Sequence, residues 1–221
     1  MTSPEYCYTE TKGVMDMLQT LLHWIERENR SLVIGISGHD AAGKTTFTKQ
    51  LAEQLSGEVE VLNTDTYIMS ANIRNYTIVP FTYEGASYTS KMTACHPGAH
   101  YVAALERDIA MRKSDETKTK INPYYAQHDL PQERRITIVE GMTVAFANAE
   151  LFDVRLYFYT DRETAFQRRA SSGENGDELK ASYDNDRMQY DVFMHPYSEQ
   201  FDVVMKSTIA QPWIVEKNTL V

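Results

Sequence analysis

The sequence predicts an α/β fold built on a mainly parallel sheet with helices on both faces. Three observations carry this expectation. Short β-branched runs alternate with segments of helical period, their connections are short, and Leu32–Ile36 has the unbroken apolar character of a strand buried on both sides. Taken in order, Val14, Leu18, Leu21, Leu22 and Ile25 recur at helical spacing and predict an amphipathic helix over 10–29. The strand Leu32–Ile36 follows, then a glycine-containing turn and a helix from about Lys44 to Leu55 that stops near Gly57. Val59–Leu62 predicts a second strand, ending just before Asn63-Thr64-Asp65. Residues 66–97 hold Tyr67, Tyr76, Phe81, Tyr83 and Tyr88 without a clean period and are expected as loops and short pieces. Pro97-Gly98 precedes a helix carrying Val102, Leu105, Ile109 and Met111, and Lys113 to Lys120 is a solvated turn. Arg135–Val139 and Val154–Tyr159 are strands. A helix over 161–171, a break at Ser172–Gly176, a helix over 177–191 and a last strand Phe201–Met205 complete the pattern.

Composition narrows the function classes. The 221 residues, 42% hydrophobic and 24% charged, suit a single soluble domain spanning 1–221. No apolar run reaches the roughly 18 residues that cross a bilayer, and the first residues lack a secretory pattern, so no membrane partner is expected. Cys7 and Cys95 alone build no disulfide framework, which points to a reducing, cytoplasmic setting. A formal charge of −9 argues against a nucleic-acid partner, whose phosphate backbone needs a basic surface. A single nucleotide needs only a few donors and a metal ion. The oligomeric state is left open, a homo-oligomer included.

The strongest local signal is Gly38-His39-Asp40-Ala41-Ala42-Gly43-Lys44-Thr45, a match to G-x-x-x-x-G-K-[ST] followed by Thr46. Glycines let the backbone curl so that successive N–H groups face phosphate oxygens, and the helix opening at Lys44 adds the positive end of its dipole. Lys44 would reach the β- and γ-phosphates of ATP, and the Thr45 hydroxyl would ligate Mg²⁺. The motif lies between a buried strand and a helix, the context it requires. The expected fold is therefore a three-layer α/β/α P-loop NTPase.

Two carboxylates stand at strand ends, where parallel sheets bind ligands. Glu140 closes the strand 136–139 and could hold Mg²⁺; the alternative is a surface glutamate. Asp65, just past the second strand, could accept the proton of an attacking hydroxyl or help hold the metal; the alternative is an Asx-turn residue. Cys95-His96 with His100 has no recognised metal-ligand spacing.

These residues resemble the uridine kinase and phosphoribulokinase group of P-loop kinases. Ile34-Gly35-Ile36-Ser37-Gly38 leading to Gly43-Lys44-Thr45-Thr46, Asp65-Thr66-Tyr67, His96-Pro97, Pro123-Tyr124, Val139-Glu140-Gly141, Arg168-Arg169 and Phe201-Asp202-Val203-Val204 are similar to that family's segments, in the same order over about residues 32–206. The resemblance implies Asp65 as base, Lys44 and Thr45 at phosphate and metal, and Glu140 as second metal-side carboxylate. Arg168 and Arg169 would close a small helical lid (about 168–190) over the phosphates, with Arg187 a further candidate. Tyr67, Tyr124 and His128 are candidates for acceptor contact, in and beyond an acceptor-side insertion at about 66–97 whose aromatic residues either line the acceptor pocket or pack a satellite core. His39 is expected to shape the rim of the loop.

The chain departs from the family's nucleoside kinases in Gly98-Ala99-His100-Tyr101, where Tyr101 replaces an Asp that holds ribose hydroxyls, and in Tyr125 and Ser172. The expected activity is ATP- and Mg²⁺-dependent phosphorylation of a small molecule's hydroxyl, a nucleoside first. The alternatives are another alcohol such as pantothenate or a sugar phosphate, or a regulatory protein that binds nucleotide without transfer.

Overall fold

A computed structural model describes residues 5–115, 134–171, 176–209 and 213–220. Helix α1 (Glu5–Glu28) begins earlier than its apolar period indicates and ends at Asn29, whose φ of 41° is the left-handed turn-off common at helix C-termini. Strand β1 (Leu32–Gly38) is buried along its whole length and leads into α2 (Lys44–Gln54). Next come β2 (Glu58–Asn63), the short helix α3 (Ala71–Tyr76), a hairpin of β3 (Ile78–Tyr83) and β4 (Ala86–Lys91), and helix α4 (Val102–Asp115). Beyond Glu133 follow β5 (Arg135–Glu140), β6 (Val154–Thr160), α5 (Arg162–Ser171), α6 (Gly176–Gln189), β7 (Val203–Ser207) and β8 (Ile214–Asn218).

The main sheet runs β2-β5-β1-β6-β7-β8, parallel throughout except for β8. Side chains alternate across it, as the two-residue strand period demands. Leu32, Ile34 and Ile36 join Leu18, Leu21, Ile25, Phe47 and Leu51 of α1 and α2 on one face. Val33 joins Leu105 and Ile109 of α4, with Tyr190 and Met194, on the other. Burying each of these large apolar side chains stabilises the fold by about 1.5–3 kcal/mol. The α/β reading of the sequence therefore holds, with helices on both faces of a mainly parallel sheet.

Two elements lie outside the sequence expectation. Residues 66–97 contain a regular hairpin, turned by Glu84 (φ 49°) and Gly85 (φ 80°), the paired positive φ of a tight two-residue connection. Strand β4 is exposed or only half-buried at all six positions, so it carries no apolar period to read. Its partner buries Val79 and Phe81, which pack with Met92 and Ala99 against Met188, Val192 and Phe193. Phe81 stacks on Tyr88 at 5.6 Å between ring centres. Phe81 and the partly buried Tyr83 thus pack in a satellite core, whereas Tyr88 is exposed and touches it by stacking on Phe81. The second addition is β8, an edge strand beyond Phe201–Met205 whose residues are mostly exposed. The predicted helix over 177–191 is α6, continued by a π-helical turn at Tyr190–Met194.

Candidate active site

Parallel register brings the strand ends together. Ile36 of β1 lies opposite Glu140 of β5, and Asn63 of β2 lies opposite the same Glu140. The loop after Gly38, the Glu140 carboxylate and the turn Asp65–Tyr67 consequently share the carboxyl edge of the sheet.

The loop is shaped by contacts that only glycine permits at its start. Gly38 has φ 138°, and a β-carbon there would lie 1.8 Å from the Phe158 carbonyl oxygen. The chain then closes on itself through Ala42 N–H to the His39 carbonyl (3.3 Å), and Ala41 adopts a left-handed φ of 59°. Lys44, almost buried, donates from Nζ to the His39 carbonyl at 2.9 Å. A cleft of about 480 Å³ follows the loop, lined by Asp40, Gly43, Lys44, Thr45, Arg168 and Trp213. Arg168 is held there by donating to the Ala41 carbonyl and the Ser207 hydroxyl, each at 2.9 Å. Trp213 packs edge-to-face on Phe158 at 5.2 Å and lies against Gly43. Nothing local in the sequence marks Trp213, because it reaches the loop only through the pairing of β8.

Glu140 is 4% exposed, yet among the described residues its carboxylate has only long hydrogen bonds, 3.4 Å from the Thr45 hydroxyl and 3.5 Å from the Asn63 amide. Burial raises its pKa; Lys44 lowers it and the nearby Asp65 charge raises it again. A buried, loosely bonded carboxylate beside a hydroxyl and a second carboxylate is an oxygen donor set suited to Mg²⁺. The Asx turn foreseen at Asp65 is made instead by Asn63, whose side-chain oxygen accepts from Asp65 N–H at 2.8 Å. The Asp65 carboxylate is exposed and has no hydrogen-bond or ion-pair partner among the described residues.

The double arginine divides between two clefts. Arg168 faces the loop cleft, whereas Arg169 lines a second one of about 860 Å³ and donates to Asp186 of α6 at 3.2 Å. The two clefts meet at Asp40. His39 is not a rim residue. Its side chain is fully buried and bonds Asp186 at 3.1 Å, close to the buried Cys95 thiol, so that potential ligand atoms of all three lie within 4.8 Å of one another. Burial pushes the Asp186 carboxyl up, but His39 and Arg169 outweigh it and hold the group below the usual range. Arg187 does not join the lid pair; it is buried, donating to the Thr160 carbonyl and pairing with Asp191. Tyr67 is likewise committed elsewhere, its hydroxyl donating to Asp108 of α4 at 2.7 Å. Tyr124, Tyr125, His128 and Ser172 lie outside the described residues.

His100 buttresses the Asp65 turn. Its Nδ1 lies 2.9 Å from the Thr143 hydroxyl, which donates to the Thr64 carbonyl, and its Nε2 lies 2.7 Å from the Ala94 carbonyl. Burial and, secondarily, the Arg74 charge lower its pKa to about 4, against the Ala94 carbonyl, which raises it. The unfolded chain binds the proton near the ordinary 6.5, so unfolding takes up a proton between those values. The stability that neutral His100 supports is complete above that window and is lost as pH falls through it, on the order of 2–3 kcal/mol. Urea unfolding at about pH 7 and about pH 4.5 should show this slope, and His100→Asn should flatten it; an unchanged slope would remove His100 as the source.

The chain is similar to known proteins in sequence and in fold. The profile of the Phosphoribulokinase / Uridine kinase family matches residues 33–211. A uridine kinase of Ligilactobacillus salivarius is 25% identical, the match covering 81% of this chain and 86% of that one. A uridine kinase of Chlamydia pneumoniae is also 25% identical, over 81% and 83%. Among solved structures, a D-glycerate 3-kinase of Cryptococcus neoformans var. grubii superposes with a TM-score of 0.52 at 10% identity, over 91% of this chain and 97% of that one, a likeness of fold. With a profile spanning most of its length and the phosphate loop at the expected strand end, the chain belongs to the phosphoribulokinase / uridine kinase family.

Proposed function

We propose that this protein is an ATP- and Mg²⁺-dependent kinase that phosphorylates a hydroxyl of a small molecule. The observation that carries the reading is the Asp65 carboxylate, without a partner among the described residues, beside the Glu140–Thr45 pair at the mouth of a glycine-shaped loop ending in Lys44. Lys44, Thr45, Thr46 and the loop N–H groups would hold the triphosphate, with Trp213 and Arg168 flanking it. Thr45 and Glu140, with Asp65 nearby, would hold Mg²⁺, which when bound neutralises phosphate charge. Asp65 would orient the acceptor hydroxyl. Its oxygen forms a bond to the γ-phosphorus as the bond to the bridging oxygen of ATP breaks. ADP leaves with that electron pair, and the hydroxyl proton passes to Asp65 and on to solvent. Arg169, drawn from Asp186, would help neutralise the migrating group.

The names of the curated relatives support a nucleoside as acceptor. A coupled ADP-release assay over nucleosides, vitamins and sugar phosphates, with Lys44→Ala as blank, tests the reading. Acceptor-dependent ADP release that needs Lys44 supports it. Nucleotide binding with no acceptor-dependent release across the whole panel would favour a regulatory protein instead.

A further inference from the structure

The second cleft, beyond Asp40, has a chemistry of its own. Its volume of about 860 Å³ is that of a small-molecule site. Among the described residues no aromatic ring lines it. Its lining combines charged side chains, Arg74 of α3, Lys91 of β4 and Arg169 with Asp40 and Asp186, with neutral polar groups and the apolar Ile78 and Met92. Asp186 bonds Arg169 and the buried His39, and His39 would remain its partner with Arg169 turned to the phosphates. Asp40 stands where this cleft meets the phosphate loop. Neither Arg74 nor Lys91 pairs with a carboxylate among the described residues.

An exposed lysine alone is an ordinary solvated charge. Arg74 is different, because it is half-buried and its Nε–H is pinned to the Met69 carbonyl at 2.9 Å. That bond fixes the guanidinium in place, while its terminal N–H groups have no acceptor among the described residues. The same segment carries Asp65: Ile68 N–H bonds the Asp65 carbonyl, and Met69 N–H bonds the Ala99 carbonyl. Arg74 is therefore tied, through a few residues of hydrogen-bonded backbone, to the carboxylate proposed to orient the hydroxyl. A planar fork held this way is suited to a phosphate or carboxylate.

We propose that the acceptor is an anionic alcohol, with its hydroxyl toward Asp65 and the phosphate loop and its phosphate or carboxylate received by Arg74 and Lys91. This rests on the kinase reading above and names the substrate class of the same site. The test is ADP release by the full chain with Mg²⁺ and ATP on matched acceptors: ribose 5-phosphate against ribose, and glycerate against glycerol, within wider sets of sugar phosphates and hydroxy acids, plus uridine. Anionic members should exceed their uncharged counterparts in kcat/KM by about a hundredfold. Arg74→Gln and Lys91→Gln should each raise KM for the anionic acceptor at least about tenfold, with KM for ATP unchanged. Lys91 is exposed, so its variant keeps the test alive should Arg74→Gln unfold. A response confined to phosphates or to hydroxy acids identifies the group. Turnover of uridine, unaffected by either substitution, overturns the anionic acceptor and leaves the kinase reading standing. No turnover of any acceptor, with nucleotide binding intact, overturns both.

Discussion

Asp65→Asn should lower kcat by about a thousandfold while leaving ATP affinity and stability almost unchanged. The Asp65 carboxylate is exposed. It closes no turn and has no ion-pair or hydrogen-bond partner among the described residues, so the fold does not depend on its charge. The turn is held by Asn63, by the Thr64 N–H donating to the Glu140 carbonyl at 2.8 Å and by Tyr67 N–H donating to the Thr64 carbonyl at 3.0 Å. An isosteric amide preserves all of these. On the proposed kinase reading it removes only the ability to take a proton from the attacking hydroxyl and the negative charge that would aim it. Trp213 lies against the phosphate loop, so quenching of its fluorescence gives an ATP affinity independent of turnover. A variant with unaltered kcat would take Asp65 out of the mechanism. One with weakened ATP binding would assign it to the metal side.

How far the site is legible in the sequence depends on whether its parts are local. Gly38 to Thr46 is a continuous motif whose function lies in its own backbone, and Asp65 and Glu140 stand at strand ends that β-branched runs mark clearly. Parallel order then forces those ends together. The second cleft was not legible. Arg74 and Lys91 come from a short helix and a strand that buries none of its residues, and their proximity is set by β3–β4 pairing and packing against α6, which no periodicity reveals. For Tyr67, nearness to Asp65 in the chain suggests substrate contact and nothing in the sequence reveals that its hydroxyl bonds Asp108, 41 residues away. His39 belongs to the motif, and only the placement of α6 reveals that its side chain is buried against Asp186.

Gly141→Ala should produce the other large effect, on both carboxylates at once. Gly141 follows Glu140 with φ 139° and ψ −177°, a conformation essentially confined to glycine, which costs any other residue about 1–3 kcal/mol. Its N–H donates to the Ile36 carbonyl, so the residue is pinned to β1 and cannot rotate away. A β-carbon there would lie 2.1 Å from the Thr64 hydroxyl oxygen and 3.2 Å from its Cβ. Relief by a shift of Thr64, rather than by turning its side chain, moves Asp65 relative to Glu140. A displacement of about 1 Å at a reacting centre is enough for a hundredfold loss of rate, so kcat should fall at least that far. Stability should fall by about 2–4 kcal/mol. Strain and displacement are separable. The Thr64 hydroxyl is buried without a hydrogen-bond partner among the described residues, so Thr64→Ala alone should cost little. Combined with Gly141→Ala it removes the closest contact but not the unfavourable φ. The double variant should therefore regain much of its kcat while staying less stable than the parent. If it regains stability and not rate, the spacing between the two carboxylates is not what the glycine protects.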